Sequence, residues 1–415
     1  MYSLQLSPEQ LEIRDTVRDF VAAEIKPKAL EPRRMEARAR ALLVDALDKT
    51  AQMGLRTLAL PEELGGAGAD LLTCCIVVEE LAAGDPDIAA VLAHTSTLAH
   101  VLFGRLMTPA QRERFLPVLL EDERYHLALA EHEPGRDVTL GIDYHRPRTG
   151  DVGFKTSAVR SGNAWVVNGR KDRVANAPLA KLFAVQVSAG AAAVSTLLVP
   201  RDAAGLSVTG GDPSQRWCHG AEGQVIFSDC RVPAENLVGA EGHSPYAVDG
   251  GRRIADRQMA LDQALNLGIG RAACDAALDY AQLRVQGGRR IIEHQAIGTK
   301  LAEVTIRLEV ARAAIWQAAW ACDHPEAVAD RSLPDLPLAS IARVFSAEAI
   351  YRATKDAAEC FGAMGVMKDM PLQKYVHDAR ICLHSGLGNS EAKLAIAEAL
   401  ASYRRPTGAA VLAAE

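Results

Sequence analysis

The stretch "ARICLHSGLGNSEAK", residues 379–393, holds residue types from which a site could be built. His384 could move a proton near neutral pH, although a lone histidine also serves as a structural residue. Ser385, Gly386, Leu387 and Gly388 form a glycine-rich turn that feeds a helix, with Asn389 or Ser390 as its N-cap. Free N–H groups at such an end suit a phosphate, and a plain helix cap explains the same residues equally well. Arg136 offers an anion a charged partner, or else it is a solvated surface charge. Asp262 follows Gln258 by four residues, so the two share a helix face. It reads either as a proton acceptor or as a bundle carboxylate paired with an arginine. The eight cysteines contain no C-x-x-C pair, which argues against a zinc site.

The elements that must position these residues fall into three blocks. Residues 1–125 read as helical. "SPEQLEIRDTVRDFVAAEIKP" opens with Ser7 as N-cap and Pro8 at the first helical position, and Pro27 should end it. "LLTCCIVVEELAAGD" and "AAVLAHTSTLAHVLF" are apolar on nearly all sides and belong in a core. "TPAQRERFLPVLLEDE" starts a capped helix at Thr108. Residues 126–242 change to short alternating strands split by turn signals such as Asn-Gly, a pattern of a small antiparallel barrel or sandwich. Residues 243–405 return to helix, with four long segments that fit a bundle. Residues 406–415 are a tail.

With 415 residues, 49% hydrophobic, the chain can form two or three cores. A formal net charge of -6 disfavours a nucleic-acid partner. No apolar run reaches the ~18 residues of a membrane span. The start, "MYSLQLSPEQ", lacks the basic and apolar regions of a signal peptide. The cysteines are expected as reduced thiols, which points to a cytoplasmic protein.

The order of the blocks and the words at their junctions resemble the acyl-CoA dehydrogenase family, from Leu6 to about Arg404. "LALPEELGGAGAD", "VVEELAAGDPDIA", "FSDCRVPAENLVG", "YAQLRVQGG", "HQAIGTKLAEV", "FGAMGV" and "YVHDARI" carry the resemblance together. It implies an α+β fold: an N-terminal helical domain, a middle antiparallel β domain and a C-terminal four-helix bundle. It also implies FAD between the β domain and the C-terminal helices. A carboxylate takes the α-proton of an acyl thioester while hydride leaves for the flavin. Arg284, Gly288, Gly362 and Gly365 keep the family's arginine and glycines, and Gly388 and Asn389 lie in the turn that could meet a phosphate.

The departures are chemical. Counting the family interval from Asp378 puts the base at Gly386, which cannot take a proton. Where some members carry the base on another helix, this chain has Gln258, with Asp256 on an aspartate of that motif and a candidate for substrate contact alongside Arg136. Asp262 is then a candidate displaced base and His384 a second one. The flavin-bonding threonine reads Ala130, the tryptophan that flanks the ring reads Arg173, and the threonine two positions further on reads Ala175. The serine near the phosphates reads Arg136, the phenylalanine after Arg-x-Gln reads Gly287, and a glutamine near the adenine and pyrophosphate reads Glu359, a carboxylate facing anions.

Three readings follow. The chain is a base-less subunit of a heteromeric dehydrogenase that shares FAD with a homologous partner. Or it is a flavin-poor protein of this fold that binds acyl-CoA or an acyl-carrier protein, with FAD weak or absent. Or it is a homomeric dehydrogenase with Asp262 as displaced base. A tetramer through the C-terminal helices is expected in each case.

Overall fold

The computed structural model describes residues 5–35, 40–134, 154–189, 194–211, 218–244, 249–385 and 388–401. Arg136, Gly386 and the tail, for which the sequence carried expectations, lie outside these.

The N-terminal block is helical as read: α1 (Pro8–Phe20), α2 (Lys26–Ala29), α3 (Val44–Gln52), α4 (Leu71–Gly84), α5 (Pro86–Val101) and α6 (Pro109–Glu121). Ser7 and Thr108 both form full capping boxes, with Gln10 and Gln111 returning the bond to the cap backbone. Pro27 does not end the first helix. A π-turn over Val21–Ile25 absorbs the missing N–H, and Pro27 enters the first turn of α2. The stretch Pro86–Leu106 is long and apolar enough to cross a membrane by composition, contrary to the sequence reading. Its apolarity is used inside the fold, where 83% of that window is buried.

The middle block is a sheet of eight strands: β1 (His126–Ala130), β2 (Ser157–Ser161), β3 (Ala164–Ala175), β4 (Ala180–Ser188), β5 (Val194–Pro200), β6 (Leu206–Gly210), β7 (Glu222–Pro233) and β8 (Leu237–Val238). The order is β6-β7-β3-β2-β4-β5-β8, with β1 added beside β4. Most ladders are antiparallel, but β1 and β2 meet β4 in parallel, so the sheet is mixed. Long-range pairing of this kind leaves no local turn signal to read.

The C-terminal block contains α7 (Asp249–Leu283), the hairpin β9 (Val285–Gln286) and β10 (Arg289–Arg290), α8 (Gln295–Asp323), a short α9 (Glu326–Ala329), α10 (Leu338–Glu359), α11 (Leu372–His384) and α12 (Gly388–Leu400). The hairpin turn is Gly287-Gly288, both at positive φ (62° and 80°), a conformation only glycine enters freely. Gly287 therefore closes a turn as well as replacing an aromatic.

The two helical blocks share one core, and the sheet has a core of its own. α4 lies against α7 so closely that a Cβ on Gly268 would stand 2.3 Å from the Glu79 carbonyl oxygen. Buried Glu79 and Glu80 of α4 hold three arginines: Arg18 at 2.8 Å, Arg271 at 2.6 Å and Arg312 at 2.8 Å. Such buried pairs register α1, α7 and α8 on α4, because a mispacked helix would leave a charge unpaired.

Candidate active site

α11 delivers the chain to position 386, and its placement is set by a buried charge cluster drawn from all three blocks. Asp378 is fully buried and accepts from Arg40 Nη1 at 2.6 Å and Lys374 Nζ at 2.8 Å. His219, from the β block, lies 3.0 Å from the Asp378 carbonyl oxygen through Nε2 and 3.4 Å from Asp87 Oδ1 through Nδ1. Asp87 also accepts from the Gly220 N–H at 3.0 Å, and Arg34 bonds Asp85 at 3.1 Å. Burial alone would raise the Asp378 carboxyl, but Lys374, Arg40 and His219 outweigh it and hold it well below the usual carboxylate range. Burial works against charge on His219 too, yet Cys382, Asp87 and Asp378 raise it to about 10. "YVHDARI" thus carries a structural anchor, and composition could not show its partners at Arg40 and His219.

Beyond this anchor α5 packs against α7. Every residue from Pro86 to Ala99 of α5 is buried except His94, which is half-buried. From Met259 to Gly270 of α7 the one position not buried is Asp262. Within these stretches each helix is less than fully buried at a single point. Asp262 acts electrostatically on His94, on Cys218 of the β block and on Arg343 of α10. Gln258, one turn earlier, donates from Nε2 to Asp262 Oδ1 at 2.9 Å. Burial lowers the pKa of the His94 ring, and Asp262 offsets part of that. Arg343 is almost fully buried and donates to the Ser385 carbonyl oxygen at 2.6 Å, tying α10 to the segment that precedes Gly386. His94 and Arg343 carried no signal in the sequence, since each needs another element to give it meaning.

The other candidates are dispersed. His384 is exposed on the last turn of α11. Asp256 is half-buried and lies near the Cys322 thiol of α8. Asn389 and Ser390 sit inside the first turn of α12 rather than capping it, and Asn389 Nδ2 donates to Glu348 Oε1 at 3.2 Å. Gly388 has φ of 73° with nothing within 4 Å of where a Cβ would be.

Arg284 and Gly362 do come together, with Gly365 in the adjoining turn. They line an open groove of about 450 Å³ with Tyr280, Gly287, Glu359 and Phe361. Phe361 stacks on Tyr280 at 4.2 Å. Exposed Arg284 lines it, and exposed Arg289 adds a second cation beside it by bonding the lining residue His294. Lys300 bonds the Glu359 carboxylate and lowers its pKa, so that charge is paired within the chain. That partner sits on α8, which is why the sequence hid it.

The groove and the ring wall answer differently to a flavin dinucleotide. The groove fits the phosphate end, with a basic rim and Gly362 at φ 57° leaving open space where a Cβ would stand. The wall does not fit the ring. Ala130 is fully buried in the sheet core, offering a methyl where the resemblance expects a hydroxyl. Arg173 is exposed at φ 49°, a left-handed conformation uncommon outside glycine. Ala175 is half-buried and again lacks a donor.

Helical blocks on either side of a mixed sheet define an α–β–α scaffold. Residues 7–123 match the acyl-CoA dehydrogenase N-terminal domain and residues 257–400 its C-terminal domain. A probable acyl-CoA dehydrogenase of Bacillus subtilis is 31% identical over 94% of this chain and 97% of its own. Mitochondrial isobutyryl-CoA dehydrogenase of Dictyostelium discoideum is 27% identical, covering 94% of this chain and 88% of its own. The solved butyryl-CoA dehydrogenase from Megasphaera elsdenii superposes with a TM-score of 0.81 at 23% identity, over 96% of this chain and 100% of that one. The chain belongs to the acyl-CoA dehydrogenase family.

Proposed function

We propose that the chain is the base-less subunit of a heteromeric, FAD-dependent acyl-CoA dehydrogenase acting on an acyl thioester. A homologous partner supplies the catalytic carboxylate and the ring-binding wall. This chain supplies the groove, in which Arg284 forks onto the phosphates of the partner's dinucleotide. One observation carries the reading: the groove is built and basic, while the chain's own ring wall lacks its donors. The eight free cysteines suit a reducing compartment such as the cytoplasm. The test is flavin absorbance of the chain purified alone and after co-expression with a homologous chain. Little flavin alone and a full complement in the complex is expected. Stoichiometric FAD on the lone chain would sink the reading.

A second reading has its own observation. Asp262 is the one position from Met259 to Gly270 that is not buried, and Gln258 holds one of its oxygens, the arrangement of a positioned base. In that case the chain is homomeric, Asp262→Asn abolishes turnover, and Arg284→Ala, mild at most, leaves it in place. The heteromer reading expects the reverse pattern, with Arg284→Ala weakening FAD binding by the complex.

A further inference from the structure

A recess of about 400 Å³ lies where α1, the π-turn and α2 meet α4 and α7, and it shares no lining residue with the groove around Arg284. That volume falls within the range of small-molecule sites, about 300–1,000 Å³. Val21, Ala22, Ala83 and Ala272 make part of its lining aliphatic. The rest is charged: Arg18, Lys26, Glu80, Arg271 and Asp275. Three of these are committed to one another. Glu80 accepts from Arg18 Nη2 at 2.8 Å and Nε at 3.2 Å, and from Arg271 Nη1 at 2.7 Å and Nη2 at 2.6 Å. Lys26 and Asp275 are left over, since no described residue hydrogen-bonds or ion-pairs with either side chain. Glu24, two positions before Lys26, is taken by Lys28 and Lys49. Asp275 feels Arg271 and Lys26 electrostatically without bonding either. The π-turn sets the place of Lys26: its N–H bonds the Val21 carbonyl five residues back, and this wide turn brings Lys26 to the recess beside Val21 and Ala22.

We propose that this recess binds a free α-amino acid with a small aliphatic side chain. The ligand carboxylate accepts from the Lys26 ammonium, the ligand ammonium donates to the Asp275 carboxylate, and the side chain lies against Val21, Ala22, Ala83 and Ala272. An ammonium only donates and a carboxylate only accepts, so the two unused groups call for a ligand that carries one of each. Both contacts are then charge-assisted hydrogen bonds. Three cations against two carboxylates leave the lining at +1, so a lone amine adds to an existing positive excess. A lone carboxylate leaves Asp275 without a donor and adds a like charge beside it. A zwitterion adds no net charge and satisfies both ends. The site uses none of the residues on which the acyl thioester reading rests, and it stands or falls without that reading.

The experiment is calorimetric titration of the full chain with L-valine, with isovalerate, which lacks the ammonium, and with isobutylamine, which lacks the carboxylate. Valine should bind about tenfold or more tightly than either, as the loss of one hydrogen bond between charged groups implies. Lys26→Gln and Asp275→Asn should each weaken valine binding about tenfold. Both residues are exposed, so each variant should keep the thermal midpoint of the native chain. Isovalerate or isobutylamine binding as tightly as valine overturns the choice of a zwitterion. Valine binding that is unchanged in both variants lies elsewhere on the chain and overturns the site. No binding of valine at millimolar concentration overturns the proposal outright.

Discussion

Replacing Asp378 by asparagine removes one unit of negative charge from the centre of the three-block junction. In the native chain that junction holds Arg34, Arg40 and Lys374 against Asp85, Asp87 and Asp378, with His219 as a further cation. Arg40 is 2% exposed, its Nη1 bonds Asp378, and its Nε and Nη2 reach no partner. Asparagine therefore strands a buried guanidinium and leaves Lys374, 1% exposed, without its carboxylate. Removing one partner of a buried pair costs about 3–5 kcal/mol, and two stranded cations argue for the upper end. Urea unfolding followed by circular dichroism at pH 7 measures this directly. The double variant Arg40→Met/Asp378→Asn should lose less than the sum of the single losses, because one stranded charge is gone. The pH dependence follows from the signs. The Asp378 carboxyl is held low in the fold, so its contribution is complete above pH ~4, the ordinary value, and vanishes as pH falls below it. His219 is raised to about 10, so its contribution is complete below pH ~6.5 and is lost as pH climbs toward 10. A loss under ~1 kcal/mol for Asp378→Asn, on the scale of exposed pairs, would refute the reasoning by showing that water reaches these charges.

Three further outcomes are expected. Gly386→Glu alone should give no acyl-CoA-dependent dye reduction, because a base helps only where a flavin stands ready; clear activity would mean the ring wall is intact. His126 is 2% exposed, bonded to Thr95 at 3.1 Å, and lowered by burial to about 4. Its unfolded form takes up a proton first, so stability should fall by about 3 kcal/mol as pH drops from ~6.5 through ~4, and His126→Gln should flatten that slope. Ile306, Val310, Val366 and Met367 are exposed apolar residues of the C-terminal block. Light scattering should find a tetramer, and Ile306→Asp with Val310→Asp should shift it toward smaller species; a native monomer would count against the assembly.

The order of helix, sheet and helix was legible because capping and periodicity are local. Ser7 and Thr108 mark their helices with residues three positions away, and α7, α8 and α10 show long apolar faces without reference to anything else. The chemistry of Gly386, where the resemblance expects the base, was equally legible, since glycine lacks a proton-accepting side chain in any fold. The parallel entry of β1 beside β4, the Lys300 partner of Glu359 and the helical passage through Pro27 were not, because each depends on a contact between separate elements or on a backbone adjustment. The pair His94 and Asp262 shows the division most clearly. They lie 168 positions apart, and each alone reads as an ordinary polar residue on an apolar helix. Only the packing of α5 against α7 brings each into the other's electrostatic range. Composition fixes how much polarity a core must absorb, while tertiary contact decides which polar groups are paired off and which are left facing a ligand.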